Sequence, residues 1–174
     1  LWVQNNDLET FAGLEGSSKL ELVYAGDNDV QDISALGDAS KLRYLYLWEN
    51  ELEDDDLTGL VSGSSAPLDL EILNLDSNSL ESIAFLASLP DIQNATFYNN
   101  RIESIAGVES LINLNRLSLD RNRVTDLTPI VNNADFANGD TIVLWNNDFT
   151  CTTSDANIAI LTGRGVSVEG YECD

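Results

Sequence analysis

Apolar and polar positions alternate along this chain in one pattern that returns seven times: apolar, variable, apolar, two variable positions, asparagine, variable, apolar. It reads LWVQNNDL around Asn6, VYAGDNDV around Asn28, LYLWENEL around Asn50, LNLDSNSL around Asn78, ATFYNNRI around Asn100, LSLDRNRV around Asn122 and IVLWNNDF around Asn147. Successive asparagines stand 22, 22, 28, 22, 22 and 25 residues apart. The two apolar residues before each asparagine, such as Leu45 and Leu47, fit a short strand with one face inward. One such unit cannot bury its own apolar side. Stacked at about 4.8 Å, the strands form a parallel sheet and their inward residues merge into one elongated core. An asparagine inside an apolar frame needs partners, and a ladder of them in register can bond the backbone of the turn that leaves the sheet.

Unit length sets what lies opposite the strands. A period of 22 leaves room for short 3₁₀ turns or extended chain, while the 28-residue unit has room for a helix. There Asp54, Asp55 and Asp56 precede Leu57, Leu60 and Val61, acids at a helix start followed by helical apolar spacing. Three aspartates in a row also raise calcium, but the glycine and closing glutamate of an EF-hand loop are missing, which favours capping. After Asn147 the pattern stops. Ser154 or Asp155 is expected to cap a helix that uses Ile158 and Leu161 and ends near Gly163, and Val166 and Val168 alternate as a last strand. Cys151 and Cys173 flank this segment and read as a local disulfide staple, which would imply an oxidising compartment.

The full unit, L-x-x-L-x-L-x-x-N-x-I-x-x-I-x-x-L, runs through Leu70, Leu73, Leu75, Asn78, Leu80, Ile83 and Leu86, and again from Ile92 to Val108. It resembles the leucine-rich repeat family over about residues 1 to 150, in its 22-residue class. The closing stretch GDTIVLWNNDFTC followed by LTGRGVSV is similar to the ends of secreted bacterial members. The resemblance implies an α/β solenoid with a curved parallel sheet on its concave face, short 3₁₀ or extended convex segments, and a helix-strand cap over residues 151–174. The class includes internalin-like bacterial adhesion proteins and cytosolic regulatory subunits of a eukaryotic protein phosphatase, which use the concave sheet to recognise proteins. Leu1 falls inside the first unit's strand, so a cap or another domain is expected upstream.

Strand alternation also fixes which side chains face out. One column runs Leu22, Tyr44, Ile72, Asn94, Arg116, Thr141; the next Trp2, Tyr24, Tyr46, Asn74, Thr96, Ser118, Val143; the third Gln4, Gly26, Trp48, Asp76, Tyr98, Asp120, Trp145. All three tryptophans and four of the five tyrosines thus point outward, whereas Phe11, Phe85, Phe97 and Phe149 take framework places. Phenylalanine has no polar tip and goes inside; Tyr and Trp, with one, are the residues of interfaces. Trp2, Leu22, Tyr24, Tyr44, Tyr46, Trp48 and Ile72 should form one exposed apolar cluster, with Gly26 leaving a notch in it. Such columns also reinforce a sheet by cross-strand stacking, and an upstream domain would lie close enough to fold over the patch. Asn94-Ala95-Thr96 is a glycosylation sequon that falls within a strand.

Charge narrows the partner. Thirty acids against eight bases give a net charge of −22, which argues against nucleic acid and anionic membranes, both bound chiefly through Lys and Arg. No run of about 18 apolar residues marks a membrane insertion. The chain has no histidine, so no Ser-His pair, His-ligated zinc or imidazole base can be built. Acid-only hydrolysis by Asp76 and Asp120 finds nothing to enclose it. Of the eight bases, Arg101, Arg116, Arg121 and Arg123 gather on units five and six, where Asp120 and Glu103 offer salt bridges. No enzyme, metal or cofactor is expected. The reading is a secreted or cell-surface adhesion module binding a protein through Trp2, Tyr24, Tyr44, Tyr46, Trp48, Asp76, Tyr98, Arg116, Asp120, Arg121 and Trp145. The alternative is a glycan, with Trp48, Tyr98 and Trp145 stacking on sugar rings and Asp76 and Asp120 bonding hydroxyls, and the patch offers a homodimer contact.

Overall fold

The computed structural model describes residues 1–62 and 69–173. Among them one open sheet of seven parallel strands lies in chain order: β1 Leu22–Tyr24, β2 Tyr44–Tyr46, β3 Ile72–Asn74, β4 Asn94–Thr96, β5 Arg116–Ser118, β6 Thr141–Val143 and β7 Ser167–Glu169. Register is unbroken: Leu22, Tyr44, Ile72, Asn94, Arg116, Thr141 and Ser167 stand side by side. The fold is therefore an α/β solenoid of stacked parallel strands, the leucine-rich repeat architecture that the resemblance implies. The first unit forms two isolated bridges, Trp2 to Tyr24 and Thr10 to Asp32, rather than a strand, and the Leu1 ammonium donates to the Leu22 carbonyl at 2.7 Å.

The convex side follows unit length. The 22-residue units turn through short 3₁₀ segments, Ser34–Asp38, Ala84–Ser88 and Val108–Ser110. The longest unit continues from a 3₁₀ turn, Asp54–Leu57, into helix α1, Thr58–Ser62. Its three aspartates begin the turn, but the N-cap is Glu53, in a capping box with Asp56, whose carboxylate accepts the Glu53 amide at 2.8 Å. Asp54 reaches sideways instead: its Oδ1 accepts the Glu81 and Ser82 amides of the next unit at 2.9 and 3.2 Å. The 25-residue unit makes α2, Thr128–Asn132, opened by Pro129 in the first turn, where its missing N–H costs nothing.

Every inward residue of β1 to β6 is fully buried, from Val23 through Leu45, Leu73, Ala95 and Leu117 to Ile142. Phe136, which the repeat frame leaves unassigned, also has no exposure and fills the wider 25-residue turn. The asparagine ladder links the turns. Asn78 Nδ2 donates to the carbonyls of Leu47, Leu75 and Asp76 at 2.9, 3.1 and 3.2 Å, and its Oδ1 accepts the Leu52 amide at 3.0 Å. Asn28, Asn50, Asn100, Asn122 and Asn147 repeat this set. Asn6 is exposed to solvent, and among the described residues its amide bonds only the Val3 and Gln4 carbonyls. The residue ahead of each ladder asparagine is left-handed: Asn5, Asp27, Glu49, Ser77, Asn99, Arg121 and Asn146 all have φ between 50° and 57°.

The far end is closed by α3, Cys151–Gly163, and β7, which pairs with β6. This helix starts a turn earlier than the cap residues suggest. Thr150 is its N-cap, and Ser154 lies inside the helix with 1% exposure. Cys151 and Cys173 are joined with Cα atoms 5.1 Å apart, Tyr171 packs on Phe149 at 5.6 Å, and its hydroxyl donates to Asp155 Oδ1 at 2.8 Å.

Candidate functional site

Because the strands are in register, side chains of equal phase lie in rows across the concave face. The middle row begins Trp2, Tyr24, Tyr46, and these rings pack on one another across three turns: Trp2 and Tyr24 are stacked with centroids 5.0 Å apart and Tyr24 and Tyr46 tilted at 4.9 Å. Trp2, the first ring of the row, is 67% exposed. The hydroxyls of Tyr24, Tyr44 and Tyr46 make no hydrogen bond among the described residues. Burial pushes the Tyr46 phenol above its ordinary pKa, and the phenols of Tyr24 and Tyr44 push the same way. Tyr44 is lidded from the side by Arg43, 5.3 Å from its ring centre and ion-paired to Glu71 at 2.6 Å. The result is a continuous surface of rings with uncommitted hydroxyl tips, buried enough to be ordered and open enough to be covered by a partner.

The third row is built differently. Trp48 fills the notch that Gly26 would leave: a Cβ on Gly26 would sit 2.1 Å from the indole, so the glycine exists to let the ring lie on the backbone. Trp145 does the same over Gly170, whose φ of +72° also favours glycine, and remains 46% exposed. Tyr98 carries Arg121 over its ring at 5.4 Å. Asp76 is half-buried, accepting the Tyr98 amide at 2.7 Å and the Asn74 amide group at 3.0 Å. Burial pushes its carboxyl above the ordinary value; those two bonds oppose the shift and the Asp120 charge adds to it. The expected salt bridge to Asp120 does not form. Arg121 turns instead to Tyr98 and Arg123 to Glu103 at 3.7 Å, while Asp120 Oδ1 is buried with no hydrogen-bond partner. Val143, in the outward middle row, is 7% exposed, shut in between Ser118 and Glu169 of its paired strands.

The structure thus brings Trp2, Tyr24, Tyr44, Tyr46 and Trp48 together at one end of the face and Asp76, Tyr98, Arg116, Asp120 and Arg121 at its middle, with Trp145 beside the cap. What the sequence reading missed is the sorting of the turn edge. The left-handed row runs Asn5, Asp27, Glu49, Ser77, Asn99, Arg121, Asn146, and the row two residues on runs Asp7, Asp29, Glu51, then Ser79, then Arg101 and Arg123, then Asp148. Both pass from acidic on the early units to basic by units five and six, and Asp148 returns the last unit to acid. Aligning the repeats column by column past the asparagine would have found it.

No family model matches the chain, and no curated protein does. Solved structures match its fold. A crystal structure of internalin C2 from Listeria monocytogenes superposes with a TM-score of 0.63 at 21% identity, over 97% of this chain and 79% of that one. A leucine-rich repeat protein of Leptospira interrogans gives 0.72 at 18% identity, over 87% of this chain and 37% of its own. A second Listeria internalin, internalin F, gives 0.53 at 26% identity, over 97% of this chain and 58% of its own.

Proposed function

We propose that this chain, a leucine-rich repeat protein of internalin-like type, is a non-catalytic recognition module that holds a protein partner on its concave aromatic face. The observation that carries this is the row Trp2, Tyr24, Tyr46: three ordered rings in contact, whose polar tips bond nothing among the described residues. Residues of this kind dominate binding energy at protein interfaces, each hot spot contributing about 2 kcal/mol or more. The disulfide and the internalin names of the structural neighbours support a secreted or cell-surface setting and an adhesive role. No helix among the described residues is long and apolar enough to cross a membrane. A glycan is the weaker reading, since Trp48 and Trp145 lie against glycine backbone and Tyr98 lies under Arg121, leaving less ring face for a sugar.

The test is a binding screen of the folded chain against arrayed extracellular proteins and arrayed glycans in parallel. Saturable binding to a protein is expected, weakened at least about tenfold in Tyr24→Ala and in Tyr46→Ala while circular dichroism stays unchanged. Binding to a defined sugar that is lost in Trp48→Ala and Trp145→Ala would overturn the protein reading. Sedimentation at rising concentration covers the remaining case, a second copy on the patch, against which the charge of −22 works.

A further inference from the structure

The charge along the turn edge carries the reading one step further, to the chemistry of the partner. Beside the aromatic row, the edge of the first three units presents Asp7, Asp27, Asp29, Glu49 and Glu51, all exposed and none in an ion pair with a basic residue among the described residues. The bases of that half lie elsewhere: Lys19, Lys41 and Arg43 all precede their strands, on the opposite edge of the sheet, where Lys41 pairs with Asp69 at 3.8 Å and Arg43 with Glu71. A recess of about 450 Å³ continues the acidic edge, lined by Glu51, Glu53 and Asp56 among polar neighbours. On units five and six the same edge is basic, with Arg101, Arg121 and Arg123, before Asp148 returns it to acid on the last unit.

The rings themselves accept guanidinium groups in this molecule. Arg43 lies 5.3 Å from the Tyr44 ring centre and Arg121 5.4 Å from that of Tyr98. Trp2, Tyr24 and Tyr46 are not covered by any cation among the described residues, although they stand beside the densest acid. An aromatic platform bordered by carboxylates attracts a cation twice, through the ring quadrupoles and through the border charge, and gives an anionic segment neither.

We propose that the partner meets units one to three with a basic protein segment whose Lys or Arg side chains lie over the Trp2, Tyr24, Tyr46 row and against Asp27 and Glu49. This rests on the concave face being the recognition surface, and it fixes the orientation of the partner: its cationic part lies over units one to three and not over the arginine-bearing units five and six.

Selection of a displayed random peptide library on the immobilised chain, at physiological salt, tests it. Peptides enriched in Arg and Lys are expected, with binding lost in Tyr24→Ala/Tyr46→Ala and weakened roughly three- to tenfold in Asp27→Asn/Glu49→Gln. The control Glu169→Gln/Glu172→Gln removes equal charge at the far end and should change binding less than twofold; an equal loss there would mean bulk charge alone and would overturn the inference. Peptides that depend on Tyr24 and Tyr46 but carry no basic bias also overturn it, while leaving the recognition surface standing. Peptides indifferent to Tyr24 and Tyr46 overturn both.

Discussion

Asn78 shows how one side chain can tie three stretches of backbone. Its amide joins the carbonyls of Leu47, Leu75 and Asp76 to the Leu52 amide in a place closed to water. Truncation strands those groups, each unsatisfied partner costing about 1–3 kcal/mol. Asn78→Ala should therefore lose about 3 kcal/mol in urea unfolding, and Asn6→Ala, whose bonds are exposed, under about 1 kcal/mol. An equal cost at both positions would refute the account. The seven asparagines were legible in sequence because period and residue type agree. The left-handed residue before each was not: the doublets Asn5-Asn6, Asn99-Asn100 and Asn146-Asn147 hint at it, since asparagine tolerates positive φ, but Glu49, Ser77 and Arg121 hide it. Gly26 was misread for a related reason. Sequence shows that a side chain is missing, and only packing shows that Trp48 fills the place.

Convex elements carry less information per residue than strands. The 3₁₀ turns and α1 follow from unit length alone, yet the start of α3 does not, because Ser154 and Asp155 imitate a cap one turn inside the true one at Thr150. What holds that cap is covalent: the disulfide closes a loop of 22 residues and ties the Tyr171 tail over Phe149. In the chain-entropy account such a loop is worth about 3 kcal/mol. Cys151→Ser/Cys173→Ser should lose about that much, and hydrogen exchange should accelerate first over residues 151–173 while β2 to β4 stay protected. Uniform acceleration across the sheet would show that the cap is not a separate unit of stability.

For the whole molecule, the sign and the placement of charge matter separately. At −22 the folded state repels itself, so thermal stability should rise with added salt and with mild acidification. Asp76 acts in the same direction: its folded pKa is raised, so its contribution to stability is fully present below the ordinary carboxylate value near 3.8 and is lost as pH rises through the raised value. Thus Asp76→Asn should be more stable than the parent at pH 7 and gain less on acidification, as read by calorimetry from pH 7 to 4. A larger gain in the variant would contradict the burial of that carboxyl. Overall composition announced the acidity but not that one edge of the solenoid changes sign, because a net charge has no position.

The unbroken register of β1 to β7 makes the concave face a ruler as well as a surface. Each strand advances it by about 4.8 Å, so the aromatic row and the arginine-bearing units are held at a distance counted in whole steps. Duplicating one 22-residue unit between them would leave every contact chemistry intact and move the two ends one graduation apart. Selection among partners can then change through length alone, with no side chain replaced.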